Sequence, residues 1–208
     1  SATAVEVRAA IQELNTDAWP HRRATMKPLH RAFVDRARKC PFRFAMADAR
    51  VPHLSFGAAL TKTVFLARRL RTSWAGQEMV GLFLPPSVAG ALVNFAALLS
   101  GKVPVNLNYT LSETQLASCA RQCNLQTVLT SKAFLDRIKV KLPVRALLLE
   151  DLAAKPRLGE KLAALVLAWL APVGVLERAL GREQASTLDD RSTVIFSSGS
   201  TGEPKGVM

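Results

Sequence analysis

Thr193-Val194-Ile195-Phe196-Ser197-Ser198-Gly199-Ser200-Thr201-Gly202-Glu203-Pro204-Lys205-Gly206 is the stretch that decides the reading of this chain. It opens on a short run of β-branched and aromatic residues, the pattern of a buried strand. Four hydroxyls (Ser197, Ser198, Ser200 and Thr201) then stand among Gly199, Gly202 and Gly206, with Lys205 at the end. Glycines let backbone N–H groups approach an anion closely, hydroxyls add donors, and the lysine adds a mobile cation. A strand that delivers such a loop predicts a grip for a polyphosphate. The spacing is not that of the Walker A loop, in which Ser or Thr follows the lysine; here Gly206 follows Lys205. A flexible Gly/Ser connection would have no use for Pro204-Lys205-Gly206 in this frame.

Working back from the loop, strand and helix signals alternate. Met79–Leu84 is an apolar run closed by Pro85-Pro86. Ser87 caps a helix reaching Leu99, and Gly101 sits where that helix ends. Val103–Val105 reads as a strand, and Ser112 with Gln115 forms a capping box for a helix to about Cys123. Thr127–Thr130 and Arg145–Leu149 are further strands, with a short helix capped by Ser131 between them and a helical stretch after them. Apolar strands alternating with helices predict an α/β fold: a layered, largely parallel sheet flanked by helices. Ahead of this, residues 28–39 read as an amphipathic helix through Leu29, Phe33 and Ala37, stopped by Pro41. Residues 42–48 and 51–56 read as short strands around a turn, and 57–71 as a helix. Phe33, Phe42, Phe44 and Phe56 are expected in the core. Residues 1–25 read as a helix or linker ending at Trp19-Pro20, and 26–208 as the start of one domain.

Composition narrows the class. Half of the 208 residues are hydrophobic, enough for a sizeable core. Three cysteines cannot build a disulfide framework in a chain this long; with no charged-then-apolar leader, they predict a cytosolic location, free or at the inner face of a membrane. The net charge of +12 is concentrated in front, with 14 Lys and Arg against 5 Asp and Glu up to Trp74. Such a surface attracts an acidic protein or anionic lipid, or is simply solvated. Zinc-finger spacing, aromatic RNP motifs and helix-turn-helix patterns are absent, so nucleic acid is not expected as a partner.

Leu162–Leu176, LAALVLAWLAPVGVL, is apolar throughout, yet too short to span a bilayer and broken by Pro172 and Gly174. Two readings stand. One is a buried core helix. The other is an exposed element at a membrane surface or along an acyl chain, for which Trp169 and the preceding Lys155, Arg157 and Lys161 are suited.

The loop Ser197–Gly206 resembles the signature loop of the acyl-adenylate-forming (AMP-dependent) synthetases. Leu98-Leu99-Ser100-Gly101-Lys102-Val103-Pro104-Val105-Asn106-Leu107-Asn108 is similar to that family's first core motif. The segments Pro104–Thr110 and Leu125–Ser131, with the opening Leu29-His30-Arg31-Ala32-Phe33, resemble most closely acyl-acyl-carrier-protein synthetases, which often follow a lysophospholipid acyltransferase domain and act on 2-acyl-glycerophosphoethanolamine. The resemblance covers about residues 28–208. It implies a fatty acid ligase using ATP and Mg²⁺, with coenzyme A or an acyl carrier protein as acceptor. Ser197, Ser198, Gly199, Ser200, Thr201, Gly202, Lys205 and Gly206 would bind the β- and γ-phosphates, with Lys205 in support of catalysis and the glycines giving the bend. It also implies that the metal-side acid, the ribose aspartate and the catalytic lysine lie beyond Met208, so residues 1–208 would hold no complete catalytic set and no metal site.

Two rivals come from other classes. His30 and Asp35 have the His-x₄-Asp spacing of glycerolipid acyltransferases, but on a helix positions five apart point about 140° away from each other. The other rival is a membrane-associated scaffold or binding module with a non-catalytic phosphate loop; the intact Ser/Thr/Gly/Lys set speaks against it. Cys119 and Cys123 lie one turn apart without further ligands, and are expected as buried thiols.

Overall fold

A computed structural model describes residues 3–197 and 204–207, apart from the side chain of Asn15. Its centre is a sheet of β3 (Met79–Leu82), β4 (Val103–Asn106), β5 (Thr127–Thr130), β6 (Arg145–Leu148), β7 (Val194–Ser197) and β8 (Lys205–Val207). The order is β6-β5-β3-β4-β7-β8. All neighbours are parallel except β7 and β8, which form an antiparallel pair at one edge. Ahead of it, β1 (Phe44–Met46) and β2 (Leu54–Ser55) make a separate two-stranded hairpin.

The period of two along each strand sorts the core. Val80, Leu82, Leu129 and Leu147 face one side, where they meet Leu70 and Trp74. Val103, Val105, Val128, Val194 and Phe196 face the other, with Leu116, Cys119 and Cys123 of the α5 region (Glu113–Gln122). Gly81 of β3 is required by close approach: a Cβ there would lie 2.7 Å from Val128 Cγ2 and 3.1 Å from the Thr127 carbonyl.

Above the first face lies a second layer of helices: α2 (Leu29–Lys39), α3 (Phe56–Leu70), α4 (Val88–Leu99), α8 (Leu158–Leu170) and α9 (Val173–Leu180). They share a core of residues such as Val34, Leu60, Val64, Leu92, Ala164, Ala168, Leu176 and Leu180. Helix α4 starts as the sequence predicts, with Ser87 Oγ accepting from the Gly90 amide at 3.1 Å. The Ser112–Gln115 capping box opens α5, and Ser131 caps α6 (Lys132–Ile138). Short α7 (Leu149–Ala153) follows β6.

Three expectations change. Helix α1 (Ala4–Thr25) runs through Pro20 instead of ending at it. The ring removes one amide, but the Thr16 carbonyl it would have served is on an exposed residue that water can reach. Phe33 and Phe56 pack in the core region, whereas Phe42 is 92% exposed and Phe44 56%. Finally, Leu162–Leu176 is a buried core helix only in part. Pro172 divides it between α8 and α9, and Ala164 and Ala168 are buried while Leu162, Leu165, Val166 and Leu170 face outward. Among the described residues no helix is long and apolar enough to cross a membrane.

Candidate functional site

In a parallel sheet the helix N-termini and the strand carboxyl ends gather on one edge, and ligands settle where the chain reverses its direction of travel. Here β3 to β4 steps one way and β4 to β5 steps back across β3, so the switch point falls between β3 and β5, with β4 standing between β3 and β7. Residues 198–203 join the carboxyl end of β7 to β8, whose register pairs Ser197 with Lys205 and Phe196 with Gly206. Both Ser197 and Lys205 are exposed. Ser198, Gly199, Ser200, Thr201 and Gly202 lie outside the described residues. Gly206 sits in β8 with its Cα against Phe196 and Val194, where an added Cβ would be 3.4 Å from each side chain, rather than at a turn.

The loop's anchors were not singled out by the sequence. Gln122 of α5 donates through Nε2 to the Pro204 carbonyl at 3.1 Å, fixing the residue before Lys205. At the end of β4, Asn106 and Asn94 of α4 exchange amide hydrogen bonds of 2.9 and 3.2 Å. Asn106 Nδ2 also reaches Thr193 Oγ1 at 3.1 Å, and that hydroxyl donates to the Pro104 carbonyl at 3.0 Å. Thus α4, β4 and the start of β7 are locked into register. The signal was present: Asn94 is the one polar residue in an otherwise apolar helix. Asp48 is a further surprise. Its carboxylate accepts from the Val88, Val51 and Arg50 amides, which ties the β1–β2 hairpin to the N-terminus of α4. The Val88 and Val51 amides hold its pKa below the usual carboxylate range.

The rivals part company in the structure. His30 is buried and its Nε2 lies 2.9 Å from Glu177 Oε1, while Asp35 pairs with Lys27. His30 and Asp35 therefore do not form a dyad, and the acyltransferase reading is set aside. Cys119 and Cys123 are buried thiols, with burial pushing Cys119 up to about 11. Among the described residues no three His, Cys, Asp or Glu side chains could hold a metal ion. Among the described residues the chain thus presents no cluster of three such ligands for Mg²⁺.

The chain belongs to the AMP-binding enzyme family, whose model matches residues 28–208. It is 29% identical over 188 residues to syringomycin synthase SyrB1 of Pseudomonas syringae pv. syringae, covering 88% of this chain and 27% of that protein. It is 29% identical over 159 residues to the nonribosomal peptide synthetase gloA of Glarea lozoyensis, covering 75% of this chain and 2% of that protein. Among solved structures it resembles O-succinylbenzoate coenzyme A synthetase of Bacillus subtilis in complex with AMP (TM-score 0.64, 18% identity, 87% of this chain and 42% of that one). VinN gives a TM-score of 0.63 at 21% identity, over 87% of this chain and 45% of that one. The chain thus spans about a quarter or less of the curated relatives it matches. Its fold is that of the N-terminal subdomain of adenylate-forming enzymes.

Proposed function

We propose that the protein containing this chain is an ATP-dependent acid–thiol ligase for fatty acids, with an acyl carrier protein or coenzyme A as acceptor. The observation that carries this reading is the Ser/Thr/Gly/Lys run that follows the carboxyl end of a parallel strand, β7, and leads into β8, in a chain of the AMP-binding family. The choice of a fatty acid rests on the resemblance of residues 29–33, 104–110 and 125–131 to acyl-acyl-carrier-protein synthetases. In the reaction a carboxylate oxygen attacks the α-phosphorus of ATP, the bond to the bridging oxygen breaks, and pyrophosphate leaves with the electron pair. The acceptor thiol then displaces AMP from the acyl carbon. Lys205 and the hydroxyls of Ser197, Ser198, Ser200 and Thr201 would hold the leaving pyrophosphate, whose charge grows as the bond breaks. No step is assigned to Mg²⁺.

The test is ATP–pyrophosphate exchange by the intact protein with palmitate, aryl acids and amino acids offered in turn. Exchange dependent on the fatty acid is expected, falling about 100-fold in Lys205→Ala. Exchange with amino acids alone would overturn the substrate assignment, and undiminished exchange in the variant would overturn the role of the loop.

A further inference from the structure

Helix α8 is built inside out. Ala164 and Ala168 are fully buried in the core shared with α3, with Leu167 and Trp169 packed against it, while its remaining large side chains stand on the opposite side. Leu158, Leu162, Leu165, Val166 and Leu170 are 46–77% exposed, and Trp169 is half-buried at their edge with its indole N–H donating to Thr61 Oγ1. At 3.6 residues per turn these six project on one side over about 20 Å of helix. Phe42 extends the surface, sharing a shallow groove with Leu165, Trp169 and Lys62. Loose docking is not the reason for the exposure. Arg38 of α2 donates to the Ala168 and Ala171 carbonyls at 2.9 and 2.7 Å, and Arg69 of α3 binds Glu160 and the Leu152 and Ala154 carbonyls at 2.6–2.9 Å. Both ends of α8 are therefore held with the leucines outward.

The charges around this face are sorted by sign. Between residues 154 and 178 the exposed ones, Lys155, Arg157, Lys161 and Arg178, are all basic. Both carboxylates of the segment are paired, the partly exposed Glu160 with Arg69 and the buried Glu177 with Arg31 and His30. An apolar stripe on a short helix, rimmed by cations and too short to cross a bilayer, matches the headgroup–acyl boundary of an anionic membrane. We propose that the outward face of α8 lies flat on an anionic phospholipid surface, with Phe42 and Trp169 seated at the headgroup level.

The experiment is co-sedimentation of the intact protein with phosphatidylcholine vesicles, with and without phosphatidylglycerol. Binding to the phosphatidylglycerol vesicles is expected. It should fall about tenfold or more in Leu162→Glu/Val166→Glu, and about fivefold or more in Lys161→Glu, as one surface cation contributes about 1 kcal/mol. The thermal midpoint should not move, because these side chains are exposed. Absence of vesicle binding, or binding indifferent to these variants, overturns the proposal. So does a wild-type dimer that the double variant dissociates, which would give the face to a second copy. A Leu162→Cys thiol that a polar maleimide cannot reach in the native intact protein would give the face to the remainder of the chain, and overturns the proposal equally.

Discussion

Glu177 shows what a single buried charge can decide. Its carboxylate, 2% exposed as a residue, accepts from Arg31 Nε and Nη2 at 2.8 and 2.7 Å and meets His30 Nε2 at 2.9 Å. Burial pushes its pKa up, but the hydrogen bonds from Arg31 and His30 outweigh this and hold it below the ordinary 4.5. The carboxylate is thus ionised, so His30 Nε2 must be the donor. Burial first, then the charge of Arg182, hold His30 below its ordinary 6.5 and keep it neutral in the fold. Both groups are depressed, so the sign is the same for each: the unfolded chain binds the proton first as the pH falls. The stability linked to His30 is present above about pH 6.5 and is lost below it; that linked to Glu177 goes at lower pH, as its folded value is crossed. In the intact protein the urea midpoint should fall from pH 8 to pH 6, and His30→Gln should flatten that limb. Glu177→Ala strands Arg31 and His30 and should cost about 2–4 kcal/mol in the same measurement, toward the lower end because Arg31 is a third exposed.

At the scale of the element, α8 reverses the usual meaning of hydrophobicity. Ala168 is fully buried between helices, and enlarging it to leucine should destabilise by about 1–3 kcal/mol, because the core has no room. Leu162 is 53% exposed, and Leu162→Ala should change stability by less than about 0.5 kcal/mol. Paired thermal melts of the two variants read this contrast directly; equal effects would mean that the leucine face is buried in the intact protein. Strand β3 carries its own constraint at Gly81, where Ala would collide with Val128. Gly81→Ala should destabilise by about 1–3 kcal/mol, read from the shift in its urea midpoint.

For the whole molecule, the hydroxyl-rich run follows the carboxyl end of β7, while much of the net charge of +12 lies in the front third. An acidic carrier protein would feel that field and coenzyme A would feel it less. Under the proposed ligase function, raising ionic strength in assays of the intact protein should therefore slow transfer to a carrier protein more than transfer to coenzyme A. A second expectation concerns the share of the fold held here. Residues 1–208 alone should show no pyrophosphate exchange above background, since the chain covers 45% or less of the solved adenylate-forming enzymes cited above. Turnover by residues 1–208 would show that these residues suffice.

The sequence by itself determined the alternation of strands and helices from Met79 onward, the helix caps at Ser87 and Ser112 and the parallel character of the sheet. All of these are local signals: a period or a cap acts on its immediate neighbours. It did not determine that Asn94, Asn106 and Thr193 meet, that Gln122 fastens Pro204, or that His30 answers to Glu177 at a separation of 147 residues. Nor did it say which side of Leu162–Leu176 is inside. Hydropathy counts apolar residues but does not rank them by size, and the close approach of α8 to α3 admits alanine where leucine would not fit. Only the tertiary packing could make that choice.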